Sequence, residues 1–213
     1  MLTLSDIRSR VRTRFEAASS VRWSSEDIDA AINDGLGELS EATRYFERTA
    51  SIQLKASRTY YDLRGLTPET VLSVTAVQHL SGVRWLEPIV LPDISKGIAE
   101  WELTSGNPTA WFVRGLYWLG VWPRPTADLD DWVRVYYTGV APALVDDGDL
   151  PAQLPDEFVP ALEEYALYEL QQREGEAEKA LYWWGKYKER EAVLEQHIAH
   201  RLTTARTGTI GRA

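Results

Sequence analysis

The chain has no cysteine. That removes disulfides, thiolate metal sites and cysteine nucleophiles together, and fits assembly in a reducing compartment. Histidine is scarce, with three in 213 residues, and there is one methionine. No uninterrupted apolar run approaches the roughly 18 residues of a membrane span, so no bilayer crossing is expected. The opening residues MLTLSDIRSR carry no apolar stretch after their charges, so no secretory signal is expected either. A surplus of positive charge is also missing: 23 Lys and Arg face 32 Asp and Glu, for a net charge of −9. A free-standing duplex-DNA binder carries a basic surface, so tight phosphate binding is not expected.

What remains is an ordinary globular composition, 44% hydrophobic and 26% charged, on a chain long enough to bury a core. Nine Trp stand beside ten Tyr. Trp that is not core belongs to contact surfaces, so the composition describes a soluble protein that sticks to something.

Two amphipathic helices open the sequence. Thr3 and Asp6 have the spacing of a capping box, with Leu2 and Ile7 placed for a hydrophobic staple. Leu4, Ile7, Val11 and Phe15 are spaced three, four and four, which is one helical face. Arg8, Arg10, Arg12 and Arg14 lie off that stripe. The row could touch phosphate, but Asp6, Glu16 and many later acids offset it, and a solvated face is expected. The second helix repeats the device with Ser24, Asp27, Trp23 and Ile28, and its apolar face runs Ile28, Ile32, Leu36, Leu39, then Phe46. Gly35 and Gly37 would each cost about 1 kcal/mol in a solvent-facing helix, so another element is expected to pack there. The short linker from Ala18 to Arg22 makes the pair a helical hairpin.

From about Ser51 the period changes to two. Alternating runs are expected as strands over Ser51–Ala56, Arg58–Leu63, Val71–Leu80, Val83–Val90, Thr109–Arg114, Leu116–Trp122 and Asp131–Gly139. Arg114-Gly115 reads as a hairpin turn, and a short helix is expected near Asp93 to Trp101. This region predicts a small antiparallel sandwich or barrel. After the acidic loop Asp146-Asp147-Gly148-Asp149 the helical period returns, from Leu154-Pro155 through Phe158, Leu162, Tyr165 and Tyr168. Pro160 near the start can kink the helix or delay its onset. A break near Gly175 precedes a long helix to about Arg201. Residues 202–213, rich in Thr, Gly and Arg, cannot bury enough apolar surface to fold alone and are expected to form an extended tail. The expected fold is α+β: a helical bundle from residues 1–49 and 150–201, an inserted β domain over 50–149, and the tail.

Catalytic constellations are scarce. His79 sits in a strand pattern with no partner motif and reads as structural. His197 and His200 lie three apart on a helix with Glu195 nearby, but no third metal ligand follows at a recognisable spacing. The pairs Asp130-Asp131 and Glu163-Glu164 are adjacent, and adjacent residues do not face each other. The acidic loop lacks the spacing of a calcium loop and reads as a turn. Six Trp in the middle region, Trp85, Trp101, Trp111, Trp118, Trp122 and Trp132, could stack on sugars, which leaves an aromatic-rich carbohydrate-binding module as the alternative function. A hydrolase using His197 and His200 is a third. The expected core filling by large side chains, together with an interface, is the simpler account.

The segment Trp23-Ser-Ser-Glu-Asp-Ile-Asp-Ala-Ala-Ile-Asn-Asp-Gly35 resembles the start of helix two in head-to-tail connector (adaptor) proteins of tailed bacteriophages. Trp122-Pro123-Arg124-Pro125 closing a strand, and Leu154-Pro-Asp-Glu-Phe158 leading into Leu162 and Tyr165-Ala-Leu167, also resemble that family. So does the order of helical hairpin, β insertion, helical hairpin and loose tail. The resemblance implies a non-enzymatic structural protein of the virion neck, assembled in the host cytoplasm, with no cofactor, metal or catalytic residues. It implies a ring, commonly of twelve copies, beneath the portal, which meets the next tail component. Genomic DNA would pass through the lumen without sequence-specific binding. Within that picture Arg201, Arg206, Ile210 and Arg212 are expected to dock the tail onto the portal.

Overall fold

The computed structural model describes residues 1–16, 23–65, 69–81, 83–97, 100–126 and 132–208. The expected linker Ala18 to Arg22 and the pair Asp130-Asp131 lie outside them. The chain is α+β and separates into two compact units, residues 1–46 with 141–213, and residues 47–140. No helix among the described residues is long and apolar enough to cross a membrane.

The first unit holds α1 (Leu4–Glu16), α2 (Ser25–Thr43), α4 (Pro160–Arg173) and α5 (Ala177–Gly208). Leu4, Ile7, Val11 and Phe15 are all buried, so the sequence stripe of α1 is its core face. Both N-terminal boxes form: Asp6 N–H donates to Thr3 Oγ1 at 3.3 Å and Thr3 N–H to Asp6 Oδ2 at 3.0 Å, and Ser24 and Asp27 cap α2 reciprocally. The acidic loop does more than turn. Its Asp149 and Asp147 carbonyls accept from Leu4 N–H at 2.9 Å and Ser5 N–H at 3.2 Å. Those are N–H groups of the first helical turn, which have no partner within the helix.

The helix α2 stops at Thr43, with Arg44 left-handed, so Phe46 is buried beyond the helix and not on its face. Pro160 delays the onset of α4, because its ring suits the first helical turn and no interior one. Residues 156–159 therefore form turns, and α4 begins only at Pro160, where the sequence pattern opened the helix at Leu154-Pro155. The core of this unit centres on Ile32, Leu36, Leu39, Leu162, Leu167, Leu170 and Tyr187.

The second unit carries two four-stranded sheets. The first has the order β1 (Glu47–Gln53), β8 (Trp132–Gly139), β3 (Val71–His79) and β4 (Arg84–Trp85). The second has the order β2 (Tyr60–Asp62), β7 (Trp118–Trp122), β6 (Ala110–Arg114) and β5 (Glu87–Pro88). All pairings are antiparallel except β5 with β6. The short helix falls slightly earlier than expected, at α3 (Leu91–Gly97), and is followed by a 3₁₀ turn at Trp101–Leu103. Residues from both sheets share one core, including Ile52, Leu54, Val77, Leu119, Val121, Val133 and Val135. Full burial of each such side chain contributes about 1.5–3 kcal/mol. On the other face of the second sheet the Phe112 ring fills the space above Gly120, where a Cβ would meet ring carbons at 2.2–2.6 Å.

Candidate assembly surfaces

The arginine row of α1 is only partly solvated: Arg10 and Arg14 are exposed and Arg8 and Arg12 half-buried, and all four have partners within the fold. Arg8 forms a two-point bond to Asp29, at 2.6 Å through each contact, and reaches Asp147 at 2.9 Å. These partners, Asp29 first, raise the guanidinium pKa further. Arg12 donates to Ser25 Oγ at 3.2 Å. Arg10 and Arg14 hold the two oxygens of Glu163 at 3.3 and 3.1 Å, and Glu163 is 0% exposed. The row ties α1 to α2, α4 and the acidic loop. Glu164, the sequence neighbour of Glu163, faces α5 instead and pairs with Arg190 at 2.7 Å.

Charge is unevenly divided. Residues 47–140 hold nine Lys or Arg and ten Asp or Glu, net −1, so of the total −9 the helical unit carries −8. The helix α2 holds six carboxylates and no cation. Asp34 and Glu41 stand exposed two turns apart on it, with Glu38 half-buried between them.

The six tryptophans of the β unit divide into core and surface. Trp111 is buried. Trp101 and Trp122 are half-buried; Trp101 meets Phe112 edge-on at 5.6 Å, and Trp122 Nε1 donates to the Trp101 carbonyl at 3.3 Å. Trp85, Trp118 and Trp132 are exposed. In the helical unit, Trp184 stacks on Tyr168 at 4.8 Å and Tyr187 at 5.4 Å, with the Lys188 ammonium 4.9 Å from its ring.

A family model described as SU10 adaptor protein matches residues 2–210. The chain belongs to this phage adaptor family. No curated protein matches it.

The adaptor's histidines do not gather into a catalytic or metal centre. His79 is buried at the end of β3. His197 meets Phe158 edge-on at 5.8 Å, beside a groove of about 470 Å³ lined also by Val193 and by the Glu164–Arg190 and Lys186–Glu189 ion pairs. Among the described residues, no three His, Asp or Glu side chains gather where they could hold a metal. The four residues expected to reach the portal fall at the end of the chain. Helix α5 runs on to Gly208, past Arg201, which is exposed on it. Leu202, Ala205 and Arg206 favour helix, and extending a formed helix costs far less than nucleating one. The tail expected to be extended from 202 is therefore helical to Gly208. Ile210 and Arg212 lie outside the described residues. Sequence reasoning missed the role of Arg10, Arg14 and Glu163, because the partners are about 150 positions apart and no local pattern links them.

Proposed function

We propose that this adaptor forms a ring of copies, twelve in number, beneath the portal of a tailed-phage capsid, extends the DNA channel and presents the platform for the next tail component. The family match over residues 2–210 carries this reading. It is supported by the fold's use of its charge. Arg8, Arg10 and Arg14 of α1 are paired with carboxylates of the fold, while α2 keeps Asp34 and Glu41 exposed. Twelve copies at −9 carry −108 in total. An acidic lumen repels the DNA backbone and lets it slide, where a basic one would hold it.

In this reading the role is structural and not enzymatic. The two sheets with their common core act as a β sandwich inserted between two helical hairpins, the protein sits in the virion neck, and assembly takes place in the host cytoplasm. The end of α5 and the residues after it, with Arg201, Arg206, Ile210 and Arg212, attach to the portal. Removing residues 202–213 tests the attachment: the shortened protein should fold and fail to co-sediment with portal rings. Unchanged co-sedimentation would reject that assignment. Imaging of the assembled neck tests the ring and its copy number directly.

A further inference from the structure

Two exposed patches of the β unit are built, not incidental. The first is the tip of the β6–β7 hairpin. Arg114 faces Trp118 across the ladder, leaving Gly115, Leu116 and Tyr117 as the loop, with Gly115 at φ 61°. Leu116 at its apex is 76% exposed. The loop is held from two sides. Leu63 N–H donates to the Tyr117 carbonyl at 2.8 Å, and the Arg64 guanidinium, chelated by Asp62, lies 5.1 Å over the Tyr117 ring. Arg114 donates to Tyr60 Oη at 3.2 Å. A loop fixed in this way loses little freedom when it binds.

The second patch is the outer face of the β1-β8-β3-β4 sheet. Trp132, Arg134 and Tyr136 alternate along β8 on the side opposite the buried Val133, Val135 and Tyr137. Trp85 of β4 packs on Tyr136 at 5.2 Å, and Tyr136 Oη donates to Gln78 at 3.3 Å. Trp85 and Trp132 remain 58% and 42% exposed. Trp, Tyr and Arg are the residue types that dominate binding energy at protein interfaces.

Charge decides what covers these patches. At −8, helical surfaces of two copies repel each other, whereas the β unit at −1 can meet another β unit without that penalty. The patches are also unlike each other, one a projecting loop and one a flat sheet. A closed ring needs each copy to carry two unlike surfaces that fit together. We propose that the hairpin tip of one copy, led by Leu116, docks on the Trp85–Tyr136 face of the next copy, so that β units join head to tail. This rests on the ring reading above and adds to it which surfaces meet.

The absence of native cysteine makes the test direct. The double variant Leu116→Cys/Gln78→Cys, assembled on portal rings and treated with a short bis-maleimide, should give a ladder of covalent species rising to the full ring. Each single-cysteine variant should give none. Two further variants, Leu116→Asp and Trp85→Ser, should each reduce ring formation about tenfold or more, the effect of losing a central contact. Mixed together they should give one-to-one dimers, since one keeps an intact sheet face and the other an intact tip. A lysine-reactive cross-linker reports the ring without reference to these patches. Rings with that reagent, but no bis-maleimide ladder and full assembly of both variants, overturn the docking and leave the ring standing. Monomers with the lysine reagent in the presence of portal overturn both.

Discussion

The backbone of Gly35 lies directly against Tyr165: a Cβ at that position would stand 2.9 Å from Tyr165 Cδ1 and 3.0 Å from its Cβ. Gly37, two residues on, has open space around it. The two glycines of α2 therefore have opposite sensitivities. Gly35→Ala forces a packed ring to move and should destabilise by about 1–3 kcal/mol despite its better helix propensity. Gly37→Ala meets nothing and should stabilise by about 0.5–1 kcal/mol. Urea unfolding followed by far-UV circular dichroism reads both, and the decisive feature is the difference in sign.

That contrast marks how far the sequence could be read. Two glycines in an amphipathic helix signalled a close neighbour, and Tyr165 is that neighbour, but nothing local distinguishes Gly35 from Gly37. The caps at Thr3 and Ser24, the core stripe of α1 and the change of period near residue 50 are local features, and each was legible. The partners of the arginine row were not. A charge off the apolar stripe reads as solvated, because a sequence pattern carries no information about a carboxylate delivered by a distant helix. The onset of α4 at Pro160 was legible as one of two options, and proline chemistry permits both.

Glu163 tests the arginine clamp. Its carboxylate is fully buried, while Arg10 and Arg14 keep 47% and 43% of their side chains in water. Removing the two sides should therefore be unequal. The double variant Arg10→Ala/Arg14→Ala strands a buried charge and should cost about 3 kcal/mol, the low end for such a loss because water can reach the vacated sites. Glu163→Gln leaves two arginines that rehydrate and should cost about 1–2 kcal/mol. Equal costs in urea unfolding would contradict the asymmetry.

Asn33 and Ser40 of α2 fix the chain where it re-enters the helical unit. Asn33 accepts from Leu144 N–H at 2.7 Å and donates to the Leu144 carbonyl at 3.0 Å, and Ser40 Oγ accepts from Ala141 N–H at 3.2 Å. Asn33→Ala should cost about 1–3 kcal/mol, because two backbone groups lose their partner. Asn33→Asp should cost at least as much: it keeps the acceptor but turns a second oxygen toward the Leu144 carbonyl. Hydrogen exchange at the Leu144 amide should rise in both variants more than exchange in the α4 core.

The start of α1 predicts the response to acid. Asp6 is held below the ordinary carboxylate range by the Thr3 N–H and then the Thr3 hydroxyl, and Asp149 by the N–H groups of Asp146 and then Val145. Both carboxylates are bound more favourably as anions in the fold than in the unfolded chain. Their contribution is complete above the unfolded value near pH 4 and is lost as pH falls through the lower folded values. On account of these groups the urea midpoint should therefore stay constant between pH 7 and about 5, and should fall below about pH 4. The variant Asp6→Asn/Asp149→Asn should have a lower midpoint at pH 7 and a smaller further loss between about pH 4 and 2. Parallel acid curves for parent and variant would mean that these two carboxylates do not carry the acid sensitivity.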